Sequence, residues 1–267
     1  MIRNAILVAV FATAGLLYVA LKLEPDLAQF ERKKLETLIN LPRAALPVDL
    51  HIEDSRQRFA RLIMDYAEHE NHRLDTARAM IPGIIMRQTQ KKAEKRETDA
   101  ALVLLLNYFN IDPTSPLDSI EEQLYLRVDG LPPALVATQA AIESAWGSSR
   151  FALEGNNFFG HQCYQKGCGI KPKNSKSASL EVRRFDTIGD SVAAYYQNIN
   201  THKAYKATRK IRLALRQQDH PLTTKALIPT LGRYSELGSR YLKILNSVFR
   251  SDHIQLVVKQ IEAHDGL

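Results

Sequence analysis

Cysteine is scarce in this chain: only two of its 267 residues, Cys163 and Cys168, carry a thiol. A structural zinc site is normally closed by four cysteine or histidine ligands, and His161 is the one histidine close to this pair in sequence. The pair therefore falls short of a closed zinc shell. In an exported protein, two cysteines at this spacing favour a small disulfide loop over a metal site.

The chain also lacks the histidine spacing of a zinc protease. That motif places two histidines four residues apart on a helix, with a glutamate directly after the first. Here His69-Glu70-Asn71-His72 separates the two histidines by only three positions. Two exposed histidines on an amphipathic helix are the better interpretation, and neither a metal nor a cofactor is predicted. No internal repeat is present.

Apolar sequence is plentiful enough for one core, because 45% of the residues are hydrophobic. One nearly unbroken apolar run extends from Ala5 to Leu21. It lies at the short end of the roughly 17 to 25 residues that span a bilayer. Arg3 on its N-terminal side predicts a cytoplasmic N-terminus and export of the rest.

The same apolar run contains Ala12-Thr13-Ala14, which resembles the small-residue site where signal peptides are cleaved. The run continues beyond it through Val19. We therefore predict an uncleaved signal anchor over residues 1–23, which would attach the chain to a membrane through residues 5–21. A cleaved signal peptide is the alternative.

The net charge is +7, and basic residues cluster at Lys171, Lys173, Lys176, Arg183 and Arg184. Such a cluster can mark a nucleic-acid surface, but an exported chain does not meet nucleic acid, so no nucleic-acid partner is predicted. A basic face toward an anionic polymer or anionic lipid headgroups fits the compartment better. An ordinary solvated surface is the alternative.

Prolines and hydrophobic spacing divide the rest of the chain. Residues 24–52 are predicted to be a stem, because prolines interrupt its helical start. Residues 53–127 show apolar positions three and four apart and predict a helical region. A second unit covers residues 128–250, and residues 251–267 form a C-terminal tail without a functional signal.

Within the second unit, the segment from Ser177 to Phe185 alternates partly between polar and apolar residues and predicts one or two short strands. The stretch from Asp186 to Asn200 predicts a helix, and a last helix is predicted at about Ser239 to Phe249. The sequence therefore indicates a mostly helical fold with a small β-hairpin.

The most informative stretch is LPPALVATQAAIESAWGSSRF, residues 131–151. Its proline pair suits a first helical turn, whose amides have no intrahelical acceptors. Glu143 and Trp146 are three residues apart and should share a helix face, with Gly147 as a stop. A carboxyl beside an indole in an apolar setting has a raised pKa, which suits a general acid. A packing helix with a solvated carboxylate is the alternative.

The residues that follow, Asn156 to His161, read NNFFGH and predict an ordered loop. Amide side chains and aromatic rings are the groups that hold a sugar by its hydroxyls and acetamido group. Cys163 follows two residues after His161, so a disulfide would fix this loop and could form one wall of a substrate groove.

The segment AAIESAWGSSRFALEGNNFFG, residues 140–160, resembles the signature of the bacterial N-acetylglucosaminidase family. Within that family, the chain looks most like the membrane-anchored Bax-type proteins of Gram-negative bacteria. The likeness covers roughly residues 128–250 and implies a lysozyme-like α+β domain there. The helical region, residues 53–127, would pack on that domain.

The resemblance implies that Glu143 is the general acid. Glycoside cleavage also needs a group on the other face of the sugar. The family often places an acidic residue in the hairpin after the signature helix, which here would be Glu181. Its alternative role is a strand-end carboxylate paired with Arg183 or Arg184, and Glu236 is a reserve candidate.

Other roles come from the same resemblance. Tyr234 corresponds to a tyrosine before the family's last helix and would bond the acid or the substrate. Asn157 and Phe158 would line the sugar groove, Phe158 by stacking. Trp146 and Glu236 are further candidate substrate contacts, and Phe159 is assigned to the core instead.

The implied function is a β-N-acetylglucosaminidase that cuts peptidoglycan glycan strands without a metal, anchored in the inner membrane and facing the periplasm. A lytic transglycosylase or muramidase acting on the same polymer is one alternative. A wall-binding protein without activity is another. No particular protein partner is predicted.

Overall fold

Most of the chain is helical, and its computed structural model describes residues 28–40, 43–47, 51–93, 97–173 and 180–265. The α-helices are α1 (28–40), α2 (Ser55–Ala79), α3 (Ile81–Ala93), α4 (Ala100–Tyr108), α5 (Leu117–Arg127), α6 (Pro133–Ser144), α7 (Arg150–Gly155), α8 (Ile188–Thr201), α9 (Lys206–Gln217), α10 (Thr224–Leu227), α11 (Ser239–Phe249) and α12 (Asp252–Asp265). Two 3₁₀ turns cover Lys203–Tyr205 and Ile228–Leu231. The strands are β1 (Gln162–Cys163), β2 (Gly169–Ile170) and β3 (Glu181–Arg183).

Helices α2 and α6 form the centre of the molecule and pack on each other. Helix α2 begins at Asp54, whose side chain accepts hydrogen bonds from the amides of Arg56 and Gln57. Its apolar face buries Ala60 and Ile63, as their helical spacing predicts. Helix α6 is surrounded, because its small and apolar residues from Leu135 to Ala141 are all buried. One hydrophobic core therefore joins the region before residue 128 to the unit after it.

The chain on both sides of these units also packs on the core. In the predicted stem, Leu35 of α1 is fully buried, and Arg43 forms an ion pair with Glu70 of α2. The segment treated as a C-terminal tail is instead helix α12, which lies against α2 and buries Ile254 and Val257 completely. Stem and tail are thus parts of the folded domain where the structure describes them.

The three strands form one antiparallel sheet in the order β1-β3-β2. Gln162 pairs with Val182, and Gly169 pairs with Arg183. Gly169 is required here, since a Cβ atom at this position would lie 1.9 Å from the Val182 carbonyl oxygen. The sheet beside many helices agrees with the predicted α+β class. The helix predicted at Ser239 to Phe249 is present with those bounds.

No helix among the described residues is long and apolar enough to cross a bilayer. The predicted anchor, residues 1–23, lies outside the described residues.

Candidate active site

Helix α6 carries Glu143 one residue before its end. Its N-terminus is Pro132, and Pro133 occupies the first helical position as predicted. The helix ends because Ala145, Trp146 and Gly147 all adopt left-handed backbone conformations, with φ values of 51°, 58° and 78°. Only glycine adopts this conformation without a steric cost, and a Cβ atom at Gly147 would also meet the Phe59 ring at 2.9 Å. Glu143 therefore lies at a sharply turned helix end.

The prediction that Trp146 shares a helix face with Glu143 is wrong. A shared face requires regular helix through residue 146, and the helix ends at Ser144. The Trp146 ring instead contacts Phe59 with centroids 6.1 Å apart and His253 at 5.5 Å. The indole joins α2 and α12, and its role as a sugar contact stays a prediction.

A buried hydrogen-bond chain leads to Glu143. The Tyr195 hydroxyl donates to the side-chain oxygen of Gln139, and the Gln139 amide donates to the Tyr241 hydroxyl oxygen over 2.9 Å. The Tyr241 hydrogen is thereby left for the neighbouring Glu143 carboxyl, whose pKa Tyr241 lowers. Three buried side chains thus hold the Tyr241 hydroxyl beside Glu143.

Burial raises the pKa of Glu143 above its ordinary value, and the hydrogen bond from Tyr241 opposes part of that rise. The physical reason is that the half-buried carboxylate loses hydration, whereas the Tyr241 donor stabilises the charged form. The balance leaves the pKa raised, which keeps the acid protonated to higher pH than an exposed glutamate.

Glu143 opens into a groove with a volume of about 670 Å³, a size that suits a bound oligosaccharide segment. The groove is lined by Glu143, Phe159, Gly160, His161, Gln162, Tyr164, Arg183, Ala194, Gln197, Asn198, Thr201, His202, Tyr205 and Tyr234. Among these described residues, Glu143 is the only carboxylic acid. The groove therefore offers one proton donor of this type and a polar, aromatic wall.

Tyr234 lies in the groove wall, as the sequence predicts. Its ring stacks on Tyr241 with centroids 5.6 Å apart, and its hydroxyl points to the Phe159 carbonyl oxygen at 3.5 Å. Burial raises the pKa of Tyr234 well above its usual value, so the phenol stays neutral. The Tyr234 ring thus packs on Tyr241 and also lines the groove.

The loop after α7 presents a different phenylalanine from the one predicted. Phe158 packs beside Phe59 with ring centroids 5.9 Å apart and does not line the groove. Phe159 does line it, and it stacks on Tyr195 at 4.3 Å. Both rings are buried in the core, which the sequence predicted for Phe159 and not for Phe158.

Asn157 is buried, and its side chain holds the loop rather than facing the groove. Its amide donates to the carbonyl oxygens of His161 and Arg183 over 2.9 and 2.8 Å, and its oxygen accepts from the His161 amide. The asparagine thus joins the loop to β3.

Burial lowers the pKa of His161 in the groove wall to about 4, so that ring is neutral at neutral pH.

The predicted disulfide between Cys163 and Cys168 is present and joins β1 to the turn before β2. Its sulfurs are bonded to each other and offer no thiolate to a metal. Glu181 lies beside this bridge, opposite Cys163 in the sheet. Its carboxylate accepts hydrogen bonds from the amides of Gly167 and Gly169 over 3.0 and 2.8 Å. The structure does not bring Glu181 into the groove.

Glu236 is exposed on the turn before α11 and does not line the groove either. Of the three acids considered, the structure therefore places Glu143 alone in the groove beside Tyr234. The catalytic roles of Glu181 and Glu236 stay predictions.

If glycan cleavage, the activity implied by the family resemblance, is assayed, we expect Glu181→Gln to lower its rate by no more than about tenfold, well below the loss expected for a catalytic acid. The amide hydrogen bonds to Glu181 lower its pKa, so its contribution to stability is present above the ordinary pKa and is lost as pH falls through the lowered one. The difference in melting temperature between variant and wild type should therefore shrink toward acidic pH. A loss of activity as large as that of a Glu143 variant would instead make Glu181 catalytic.

Comparison with known proteins identifies a family for this chain. A family model described as mannosyl-glycoprotein endo-beta-N-acetylglucosaminidase matches residues 123–237, which include the groove residues from Glu143 to Tyr234. The chain is also similar to Protein bax of Escherichia coli (strain K12), with 32% identity over 198 residues that cover 74% of this chain and 69% of that protein. The chain belongs to the Bax-type glucosaminidase family. No solved structure matches it.

Two residues of the site, Gln139 and Tyr241, were not predicted from the sequence. Gln139 had a usable signal, because it lies four residues before Glu143 on the same helix face. Tyr241 comes from α11, and nothing in its local sequence distinguishes it from an ordinary core tyrosine.

Proposed function

We propose that this chain is a peptidoglycan hydrolase, a β-N-acetylglucosaminidase that cleaves the glycan strand with Glu143 as general acid. The observation that carries the proposal is the position of Glu143: its carboxyl is half-buried, has a raised pKa and opens into the groove. Membership of the glucosaminidase family supports the substrate class.

In this reaction the protonated Glu143 donates its proton to the glycosidic oxygen as the bond to the sugar breaks. Tyr241 stabilises the carboxylate that remains, because its hydroxyl donates to the charged form. Tyr234 and Phe159 form the wall against which the sugar ring is held. These residues bind, orient and protonate the substrate.

The described groove residues include no second carboxylic acid that could be the group acting on the other face of the sugar. Substrates with a 2-acetamido group can supply that group themselves, since their carbonyl oxygen can attack the reacting carbon. We propose that such neighbouring-group participation replaces a second carboxylate in this chain.

The same single-acid groove favours a second candidate, a lytic transglycosylase that cuts the neighbouring glycosidic bond. In that reaction a hydroxyl of the substrate closes an anhydro ring, so no carboxylate is needed to activate water. The two candidates differ in the sugar that ends each product.

We expect purified full-length protein to release fragments ending in reducing N-acetylglucosamine from isolated peptidoglycan. Mass spectrometry of the products before and after borohydride reduction distinguishes this end from the others. Anhydro-muramoyl or reducing muramoyl ends would favour the second candidate, and a lack of any fragment would favour a wall-binding protein.

We also propose that residues 5–21 anchor the chain in the inner membrane, with the groove in the periplasm. The apolar run and the preceding Arg3 support this orientation. The disulfide agrees with an oxidising compartment.

A further inference from the structure

A second pocket adjoins the groove along helix α8. It has a volume of about 270 Å³ and shares Arg183, Ala194 and Gln197 with the groove. Ala194 and Gln197 lie three residues apart, on one face of the helix. The pocket is therefore a continuation of the groove, and a polymer bound across Glu143 could place a side branch in it.

Five charged residues line this second pocket: Arg43, Arg183, Arg184, Asp186 and Asp190. Arg43 forms an ion pair with Glu70 at 3.1 Å. Asp190 caps α8 by accepting hydrogen bonds from Thr187. Capping leaves the charge of Asp190 in place, so Arg183 and Arg184 remain against Asp186 and Asp190 and the pocket as a whole is balanced in charge.

Arg183 is the cation of this pocket best placed to bind an anionic group. Its guanidinium carbon lies 4.9 Å from the centre of the Phe185 ring, which holds the group in place through a cation–π contact. No carboxylate pairs with it within the part of the chain that the structure describes. Arg183 lines both the groove and the second pocket. The donors of its guanidinium are therefore oriented and open to a ligand.

The chemistry of a guanidinium selects the ligand. Its planar fork of N–H donors matches a carboxylate, which it can bind through two parallel hydrogen bonds. Peptidoglycan strands carry short peptides on alternate sugars, and these peptides have free carboxylates. We propose that Arg183 and the second pocket bind a carboxylate of this peptide branch, an inference that rests on the proposed function.

The test measures binding in the Glu143→Gln background, so that the polymer is not cut during the measurement. The probes are glycan fragments of one length in three forms: with their peptides, with the peptides removed, and with the peptide carboxylates amidated. We expect the peptide-bearing form to bind about tenfold more tightly than the other two, as expected for one charge-assisted contact. Adding Arg183→Gln should lower the affinity for the peptide-bearing form to the affinity measured for the other two forms.

Arg240→Gln is the matched control, because Arg240 is exposed on α11, outside both cavities. It removes the same charge and should preserve the preference. Arg183→Lys keeps the charge but loses the planar fork of donors, so it should keep part of the preference for the peptide-bearing form. Circular dichroism of each variant would verify that it is folded.

Equal affinity for all three forms would overturn the proposal, as would a preference that survives Arg183→Gln or disappears with Arg240→Gln. The proposed function is judged separately, by cleavage with Glu143 intact. A protein that binds the peptide-bearing form preferentially but never cuts it would keep the subsite and lose the hydrolase. A protein that cuts peptidoglycan but binds all three forms equally would support the proposed function and contradict the peptide subsite.

Discussion

Replacement of Glu143 by glutamine is expected to lower the rate of glycan cleavage by a factor on the order of 10² to 10⁴, the usual contribution of a positioned general acid. Glutamine keeps the size of the side chain and can still accept the hydrogen bond from Tyr241. It cannot donate a proton to the leaving oxygen. Because the groove has no other carboxylic acid among its described residues, no neighbour of this type can take over the step.

The measurement is release of soluble fragments from isolated peptidoglycan, with binding to the same material followed by sedimentation. Binding should stay near the wild-type level, because the groove wall is unchanged. Glu122→Gln is a suitable control, since Glu122 is exposed on α5 and does not line the groove. A Glu143→Gln protein that still released fragments at close to the wild-type rate would disprove the assignment of the acid.

Local sequence rules predicted the parts of the site that depend on neighbours in the chain. The proline pair gave the start of α6, and two cysteines in a short loop gave the disulfide. The spacing of apolar residues gave the last predicted helix. These features need only local geometry or, for the disulfide, a very short loop.

Features that depend on tertiary packing could not be predicted in the same way. Trp146 was placed by helical spacing, but the left-handed turn after Ser144 redirects it toward α2 and α12. The two adjacent phenylalanines of the loop look alike in sequence, and only tertiary packing shows that both are buried, Phe158 beside Phe59 and Phe159 on Tyr195. Tyr241 reaches Glu143 because α11 packs on α6.

The same dependence on distant contacts applies to the support of α6. Arg212 of α9 is fully buried and donates to the carbonyl oxygens of Asp129 and Gly130, directly before the helix, over 3.2 and 2.9 Å. The carboxylate of Asp129 lies 3.9 Å from the Arg212 guanidinium and 2.6 Å from that of Arg216. A single buried carboxylate therefore lies among the arginines that hold the start of α6.

We expect Asp129→Asn to lower the free energy of unfolding by about 3 to 5 kcal/mol, because removing one partner of a buried ion pair leaves an uncompensated charge in the core. Asparagine has nearly the same volume, so the loss would reflect charge rather than a cavity. Urea unfolding followed by circular dichroism measures it.

Asp75→Asn is the matched control, since Asp75 also binds Arg216, at 3.2 Å, but its side chain is 54% exposed. Water screens that pair, so its loss should cost less than about 1 kcal/mol. If both substitutions had equally small effects, the buried arginines would be stabilised by their carbonyl contacts rather than by Asp129. If Asp129→Asn alone destabilises the protein, the contacts between Asp129 and the arginines of α9 stabilise the start of α6, the helix that carries Glu143.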